Sequence, residues 1–160
     1  MTASTGPSGP SGPTSQASES PLPAPSPELE DGHHFGFIRS IDPEGATLVL
    51  DLAYFLTGEE ANQASEEHGG ENPVPNDYYI VNDNPKLRTL ALSPDLEIDL
   101  LDWDHCCDQF FRADLDDFAT AMAANDITTI DGRLYYGSVS PYWLDVEGGV
   151  VTRIQEQYLP

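Results

Sequence analysis

HFGFIRSI (residues 34–41), DPEG (42–45) and ATLVLDL (46–52) decide how this chain folds. In the third phrase Leu48, Leu50 and Leu52 alternate with Thr47, Val49 and Asp51, a period of two that belongs to a strand with one buried face. The middle phrase places Pro43 and Gly45 where a tight turn favours them. Together the three read as a β-hairpin whose leucines face a core.

The same signals continue downstream. TGEE (57–60) is a capping-box phrase, with Thr57 expected to accept from the backbone at Glu60. It opens a helix that runs to about His68 and stops at Gly69 and Gly70. Ala61 and Ala64 are its main apolar residues, so it should lie on the surface across one end of a sheet. DYYIV (77–81) is a strand, NDNP (82–85) a turn, and residues 87–92 are expected to pair back on the strand before them. Residues 96–103 form a further strand, with Leu96, Ile98 and Leu100 on one face. Asp114 caps a second helix, in which Leu115, Phe118 and Met122 share a stripe and Asn125 stands near the end. Strands over 133–139, 142–146 and 150–158 close the chain, the last two joined by a Glu147-Gly148-Gly149 turn. Val150, Ile154 and Tyr158 have the same parity and are expected to project to one face. The sum is a mainly β (α+β) domain, an antiparallel barrel-like or strongly curved sheet of seven to eight strands with two short helices.

Upstream of this domain, residues 1–31 hold GPSGPSGP and SPLPAPSPELED, with too little apolar surface to offset ordering entropy. The expectation is a disordered Pro/Ser/Gly-rich tail over 1–31, followed by a single globular acidic domain over 32–160.

Charge narrows the partners. The chain has 28 acidic against 6 basic residues and a net charge of -22. A surface of this sign repels phosphate backbones and anionic membranes, which argues against nucleic acid. It is compatible with a cationic ligand, a divalent metal or a basic partner protein, and equally with a solvated face that keeps a monomer soluble. No run of apolar residues is long enough to span a membrane, and no basic start followed by an apolar segment marks a signal peptide. The tail nonetheless looks like the spacer that follows a cleaved lipoprotein signal. The compartment is therefore exported or envelope-tethered if an upstream signal is missing, and cytoplasmic otherwise.

DLAYFLTGEEA (51–61), PNDYYI (75–80), Asn84-Pro85 and RTL (88–90), with Tyr142-Trp143, Gly149 and VTRIQEQYLP (151–160), carry a resemblance. They resemble a group of uncharacterised bacterial proteins, mostly actinobacterial, over most of residues 34–160. In that group the domain often follows a signal or lipoprotein segment and a Pro/Ser/Thr-rich spacer. The resemblance implies a small secreted or lipoprotein-like domain, and it carries over no catalytic residue.

Three sets of side chains are candidates for chemistry. The first is aromatic. Tyr78, Tyr79, Trp103, Tyr135, Tyr136, Tyr142 and Trp143 fall on or beside strands, and neighbours in a strand must point to opposite faces. Tyr79, Trp103, Tyr136, Tyr142 and Trp143 are taken as ligand-binding candidates, a platform for sugars or peptide segments. Ordinary β packing explains the same residues. The second set is acidic: Asp102, Asp104 and Asp108 are the calcium candidates, and Asp102-Trp103-Asp104 and Asp114-Leu115-Asp116 have the short Asp-x-Asp spacing that can wrap such a cation. The helix-loop-helix calcium pattern is absent, and Asp114, Asp116 and Asp117 answer equally to a helix's first turn. The third is His105-Cys106-Cys107, soft ligands for zinc whose only histidine partners elsewhere are His33, His34 and His68. Buried free thiols are the simpler expectation for Cys106 and Cys107, with a strained vicinal disulfide as the alternative.

Ser40, Ser138 and Ser140 lie in no nucleophile elbow, and neither a phosphate loop nor a dinucleotide fingerprint occurs. The reading is a non-catalytic binding or display module at the cell envelope or exterior, with no cofactor. The alternatives are a small acidic protein with a calcium-like site in residues 102–117, and a hydrolase whose site forms only in three dimensions.

Overall fold

The computed structural model describes residues 29–160. The disorder expected of residues 1–28 lies outside the described residues. Leu29, Glu30 and Asp31, assigned to the tail from sequence, touch the domain. Leu29 is buried in the main core, and the Asp31 carboxylate accepts from the backbone of Gly148 at 3.0 Å and Gly149 at 3.2 Å.

Five strands close into a barrel: β1 (Gly32–Asp42), β2 (Thr47–Thr57), β4 (Leu87–Leu101), β8 (Tyr142–Glu147) and β9 (Val150–Glu156). β1 pairs with β2 and β8, β8 with β9, β9 with β4, and β4 returns to β2. All of these pairs are antiparallel except β4–β9, which is parallel. β3 (Tyr78–Val81) extends the sheet along β2, and β5 (Phe110–Arg112) extends it along β4. The mainly β, barrel-like architecture follows from this closure. β6 (Thr128–Ile130) and β7 (Arg133–Tyr135) form a separate hairpin.

Closure needs bending, and irregularities in three strands supply it. The β1–β2 ladder shifts register between Ile38 and Ser40. The β4–β9 ladder shifts between Leu92 and Glu97, around Pro94, which has no N–H to give. This is why two expected strands, 87–92 and 96–103, are one bent strand. The β8–β9 ladder shifts at Asp145/Val146, so that Val146 meets Val151 while Leu144 meets Ile154. That bulge swaps parity: Val151, not Val150, is buried with Ile154, and Tyr158 lies beyond the strand and is exposed.

The hairpin pairing expected between β3 and residues 87–92 does not form. Tyr78–Val81 pairs with residues 54–57, while Leu87 to Ala91 pairs with residues 47–51, so both run along the eleven-residue β2. The expected strand 133–139 is cut at Tyr135, because Gly137 adopts φ +52 and opens a 3-10 turn over Gly137–Val139. A side chain at Gly137 would strike the Ala121 carbonyl. At Gly36 a side chain would strike the Asp51 carbonyl, so β1 approaches β2 there only as glycine.

α1 (Gly58–Glu67) has Thr57 at its N-cap, yet the hydroxyl makes no capping hydrogen bond, and the capping box fails in that respect. Its other end behaves as expected, with the Gly70 amide returning to Ser65 at 2.7 Å. α2 (Leu115–Ala124) is capped by Asp114, whose carboxylate accepts from Asp116 and Asp117, and ends at Asn125 in the left-handed region. It lays Phe118, Ala121 and Met122 into the core beside Leu48, Leu50, Leu52, Ile98, Leu144 and Ile154. Among the described residues no helix is long and apolar enough to cross a membrane.

Candidate functional site

β4 ends at Leu101, and the chain then makes a 3-10 turn over Trp103–His105, started by Asp102 accepting from the Asp104 amide at 3.2 Å. The turn lifts Trp103 onto Tyr136, whose own turn follows β7. The rings are nearly parallel, 11° apart, with centroids at 3.7 Å. Beneath them stands Glu156, the last residue of β9 and only 3 % exposed. Its carboxylate accepts from the Trp103 indole Nε1 at 3.1 Å and from the Leu101 amide at 2.8 Å. Burial pushes the Glu156 carboxyl above its ordinary value, against the hydrogen bonds from Ser140, Leu101 and Trp103, which pull it down. Trp103, Tyr136, Val139, Ser140, Pro141 and Gln157 surround a cleft of about 210 Å³.

The five aromatic candidates therefore separate. Trp103 and Tyr136 come together at this cleft. Tyr142 does not join them: it points into the barrel with no exposed area, packs edge-on to Phe118 at 5.4 Å, and donates its hydroxyl to the Gly137 carbonyl at 2.6 Å. Burial holds its phenol well above the ordinary value. A ring with no surface touches no ligand, so Tyr142 is a core residue. Trp143, one position on, faces outward on β8. It stacks on His33 at 4.5 Å and 2°, contacts Phe35 at 5.0 Å, and donates its indole N–H to Gln157 at 2.8 Å. Tyr79 lies at neither place and packs beside His68, ring centroids 5.8 Å apart, at the C-terminal end of α1.

The acidic candidates are not drawn to a common point. The Asp102 carboxylate is taken by the Asp104 amide, by His105 Nδ1 at 3.1 Å, and more distantly by Arg133 at 3.7 Å. Partial burial would raise its pKa, but these partners outweigh that and hold it below its ordinary value. Asp104 and Asp108 are exposed. Among the described residues no group of three or more His, Cys, Asp or Glu side chains could hold a metal ion. That covers the calcium candidates Asp102, Asp104 and Asp108, and the zinc set with His105, Cys106 and Cys107. The sulfurs of Cys106 and Cys107 lie against each other, the arrangement of the vicinal alternative. They are not core residues: they follow the Trp103 turn at the surface, where Cys106 is exposed and Cys107 half-buried.

Each histidine has a partner: His33 with Asp145 at 2.5 Å, His34 with the Glu30 carbonyl, His68 with the Ala64 carbonyl and Asp83, His105 with Asp102. Among the described residues none is hydrogen-bonded to a serine. Ser138 donates to Asn125, and Ser140 serves Glu156.

Sequence reasoning missed Glu156, and named His33 only as a remote zinc partner rather than as a neighbour of Trp143. The signal for Glu156 was present, since it shares strand parity with Ile154 and must point the same way. His33 gives no such signal, because only the fold brings it against Trp143. Comparison with known proteins finds no matching family model, no matching curated protein and no matching solved structure.

Proposed function

We propose that this protein is a non-catalytic binding or display module of the cell envelope or exterior, acting as a monomer through the Trp103–Tyr136 cleft. The observation that carries the reading is the way Trp103 is held. Its ring is fixed on one side by the Tyr136 stack and at the indole nitrogen by a buried carboxylate, so the wall of the cleft is set before any ligand arrives. Fixed aromatic surface beside a few polar groups is the usual make-up of a small recognition site. At about 210 Å³ the space suits one ring-sized group, a sugar unit or a single apolar side chain of a peptide. The acid nearest the cleft is turned toward an indole and a backbone amide, an arrangement that positions rather than reacts. An exterior location accords with the resemblance of residues 34–160 and with the composition of the tail.

The test is a titration of the full chain with a panel of neutral sugars and short apolar peptides, followed by amide and indole NMR shifts. Saturable shifts at the Trp103 indole, Tyr136 and Gln157 are expected from one ligand class, and Trp103→Ala abolishes them. Shifts confined to the Trp143 indole, or none with either class, would overturn the reading.

A further inference from the structure

β5, the start of α2 and the β6–β7 turn surround a recess of about 260 Å³, whose wall includes Phe111, Asp114, Asp117, Asp131, Arg133 and Tyr135. Tyr135, the last residue of β7, is only 5 % exposed. Its ring belongs to the main core and meets Phe111 edge-on at 5.5 Å. Its hydroxyl takes part in no hydrogen bond among the described residues, although a buried phenol normally finds a partner. The small surface that Tyr135 keeps opens on the recess. A hydroxyl in that position has its hydrogen bonds still to make.

The charges around it are unequal. Both guanidinium groups of the wall already answer to acids outside it. Arg112 donates to Asp99 at 2.9 Å and reaches Glu97 at 3.5 Å, while Arg133 lies over the Phe111 ring at 4.0 Å and stands 3.7 Å from Asp102. The acids of the wall have no such partners. Asp114 gives one carboxylate oxygen to the Asp116 and Asp117 amides, and the carboxylates of Asp117 and Asp131 enter no salt bridge or hydrogen bond among the described residues. The same capping satisfies the start of α2, which would otherwise favour an anion. Burial first, and then the charges of Asp117, Asp114 and Asp131 against that of Arg133, hold the Tyr135 phenol above its ordinary value.

The acids do not gather closely enough for a metal ion, since no group of three or more His, Cys, Asp or Glu side chains among the described residues could hold one. Carboxylates spread around a phenol suit a cation that reaches several acceptors at once, as a guanidinium does with five N–H groups and an ammonium with three. The recess is smaller than the roughly 300 Å³ at which sites for drug-sized ligands begin, so it admits one long side chain. A chain with a net charge of -22 draws basic partners toward itself.

We propose that the recess between β5, the start of α2 and the β6–β7 turn binds one arginine or lysine side chain of a basic protein partner, held by Asp117, Asp131 and the Tyr135 hydroxyl. The recess shares no wall residue with the Trp103–Tyr136 cleft, so the proposal stands or falls without that reading.

The experiment is a titration of the full chain with N-acetyl-arginine amide and N-acetyl-lysine amide, followed by NMR at the Tyr135 ring and the Asp117 and Asp131 amides. N-acetyl-norleucine amide is the uncharged control. Saturable shifts at these positions are expected from at least one of the cationic amides and none from the control. Asp117→Asn is expected to weaken binding about tenfold and Tyr135→Phe about fivefold. Tyr135→Phe removes no hydrogen bond of the folded chain, so its melting temperature should match that of the unmodified chain. The proposal falls if neither cationic amide shifts these signals, if the control shifts them equally, or if both variants bind as the unmodified chain does. Tighter binding of putrescine, a free diamine, than of either amide would make the occupant a polyamine, and the proposal would fall with that result too.

Discussion

Two tryptophans are held by consecutive residues at the end of the last strand, and in opposite ways. Trp103 gives its indole N–H to Glu156, a buried carboxylate that also takes the Leu101 amide. Trp143 gives its own to Gln157, a half-buried amide whose nitrogen donates to the Tyr158 carbonyl. Side chains one residue apart leave a strand on opposite faces, so one acceptor is drawn inward and the other outward. The inward one is an acid and must be surrounded by donors, because a buried carboxylate without them costs far more than a solvated one. The outward one is neutral and carries no such requirement. The contrast teaches that an acid in a very acidic chain is informative only when the fold has taken it out of water.

The largest test strikes the ground that both tryptophans stand on. Ile154 is fully buried between Leu144 and Ile98, two residues before Glu156 on the same face. Ile154→Ala is expected to cost about 2–5 kcal/mol in urea denaturation. Gln155→Ala, on the outer face, should stay within about 0.5 kcal/mol. Equal effects would mean that the end of β9 is peripheral, and the inside–outside contrast would collapse.

Next comes the pair itself. Glu156→Ala leaves the Leu101 amide and the Trp103 indole without acceptors and is expected to cost about 1–3 kcal/mol. Gln157→Ala loses two partly solvated hydrogen bonds, from the Trp143 indole and to the Tyr158 carbonyl, whose partners can turn to water, at a cost of roughly 0.5–1.5 kcal/mol. The first should also change Trp103 fluorescence and leave Trp143 alone, while the second does the reverse. A Gln157 variant as damaging as the Glu156 one would show that burial does not separate them.

The smallest effect is the pH dependence, and there the comparison extends to Asp99. Burial raises Glu156 above its ordinary value of 4.5, so the folded chain takes up that proton before the unfolded chain does. Between the raised folded value and 4.5, stability therefore gains from this residue as pH falls, and Glu156→Gln removes the gain. Asp99 has the opposite sign. Burial alone would raise it, but the hydrogen bonds and charges of Arg112 at 2.9 Å and Arg153 at 2.7 Å outweigh burial and lower it from 3.8. Its contribution is present above 3.8 and is lost as pH falls through the lowered folded value. Comparing the Glu156→Gln and Asp99→Asn stability profiles with that of the unmodified chain between pH 3 and 7 checks both signs. Profiles shifted in the same direction would refute the assignment.

Much of the fold was legible in particular residues. Leu48, Leu50 and Leu52 face inward as their alternation requires, Asp114 caps α2, and the Gly148-Gly149 turn joins the last hairpin. These are local facts, set by parity and by short-range hydrogen bonds. The errors lie where strand met strand. Thr57 stands at the predicted cap yet makes no capping bond. The pairing of β3 went to β2, because an eleven-residue strand offers enough length for two partners in succession. The bulge near Thr152 exchanged Val150 for Val151 in the core, and no count of residues announces a bulge in advance.

The candidate site divides along the same line. By its own pattern the sequence determined that the domain is mainly β, that Trp103, Tyr136 and Trp143 lie on or beside strands, and that its surface is strongly acidic. Only the tertiary structure decided that Trp103 meets Tyr136 over Glu156, that Tyr142 is core, and that Trp143 shares its shelf with His33, Phe35 and Phe55. The physical reason is reach. Periodicity states which face of its own element a side chain takes, whereas the company it keeps there depends on barrel closure, which joins residues 53 positions apart at Trp103 and Glu156 and 112 apart at His33 and Asp145.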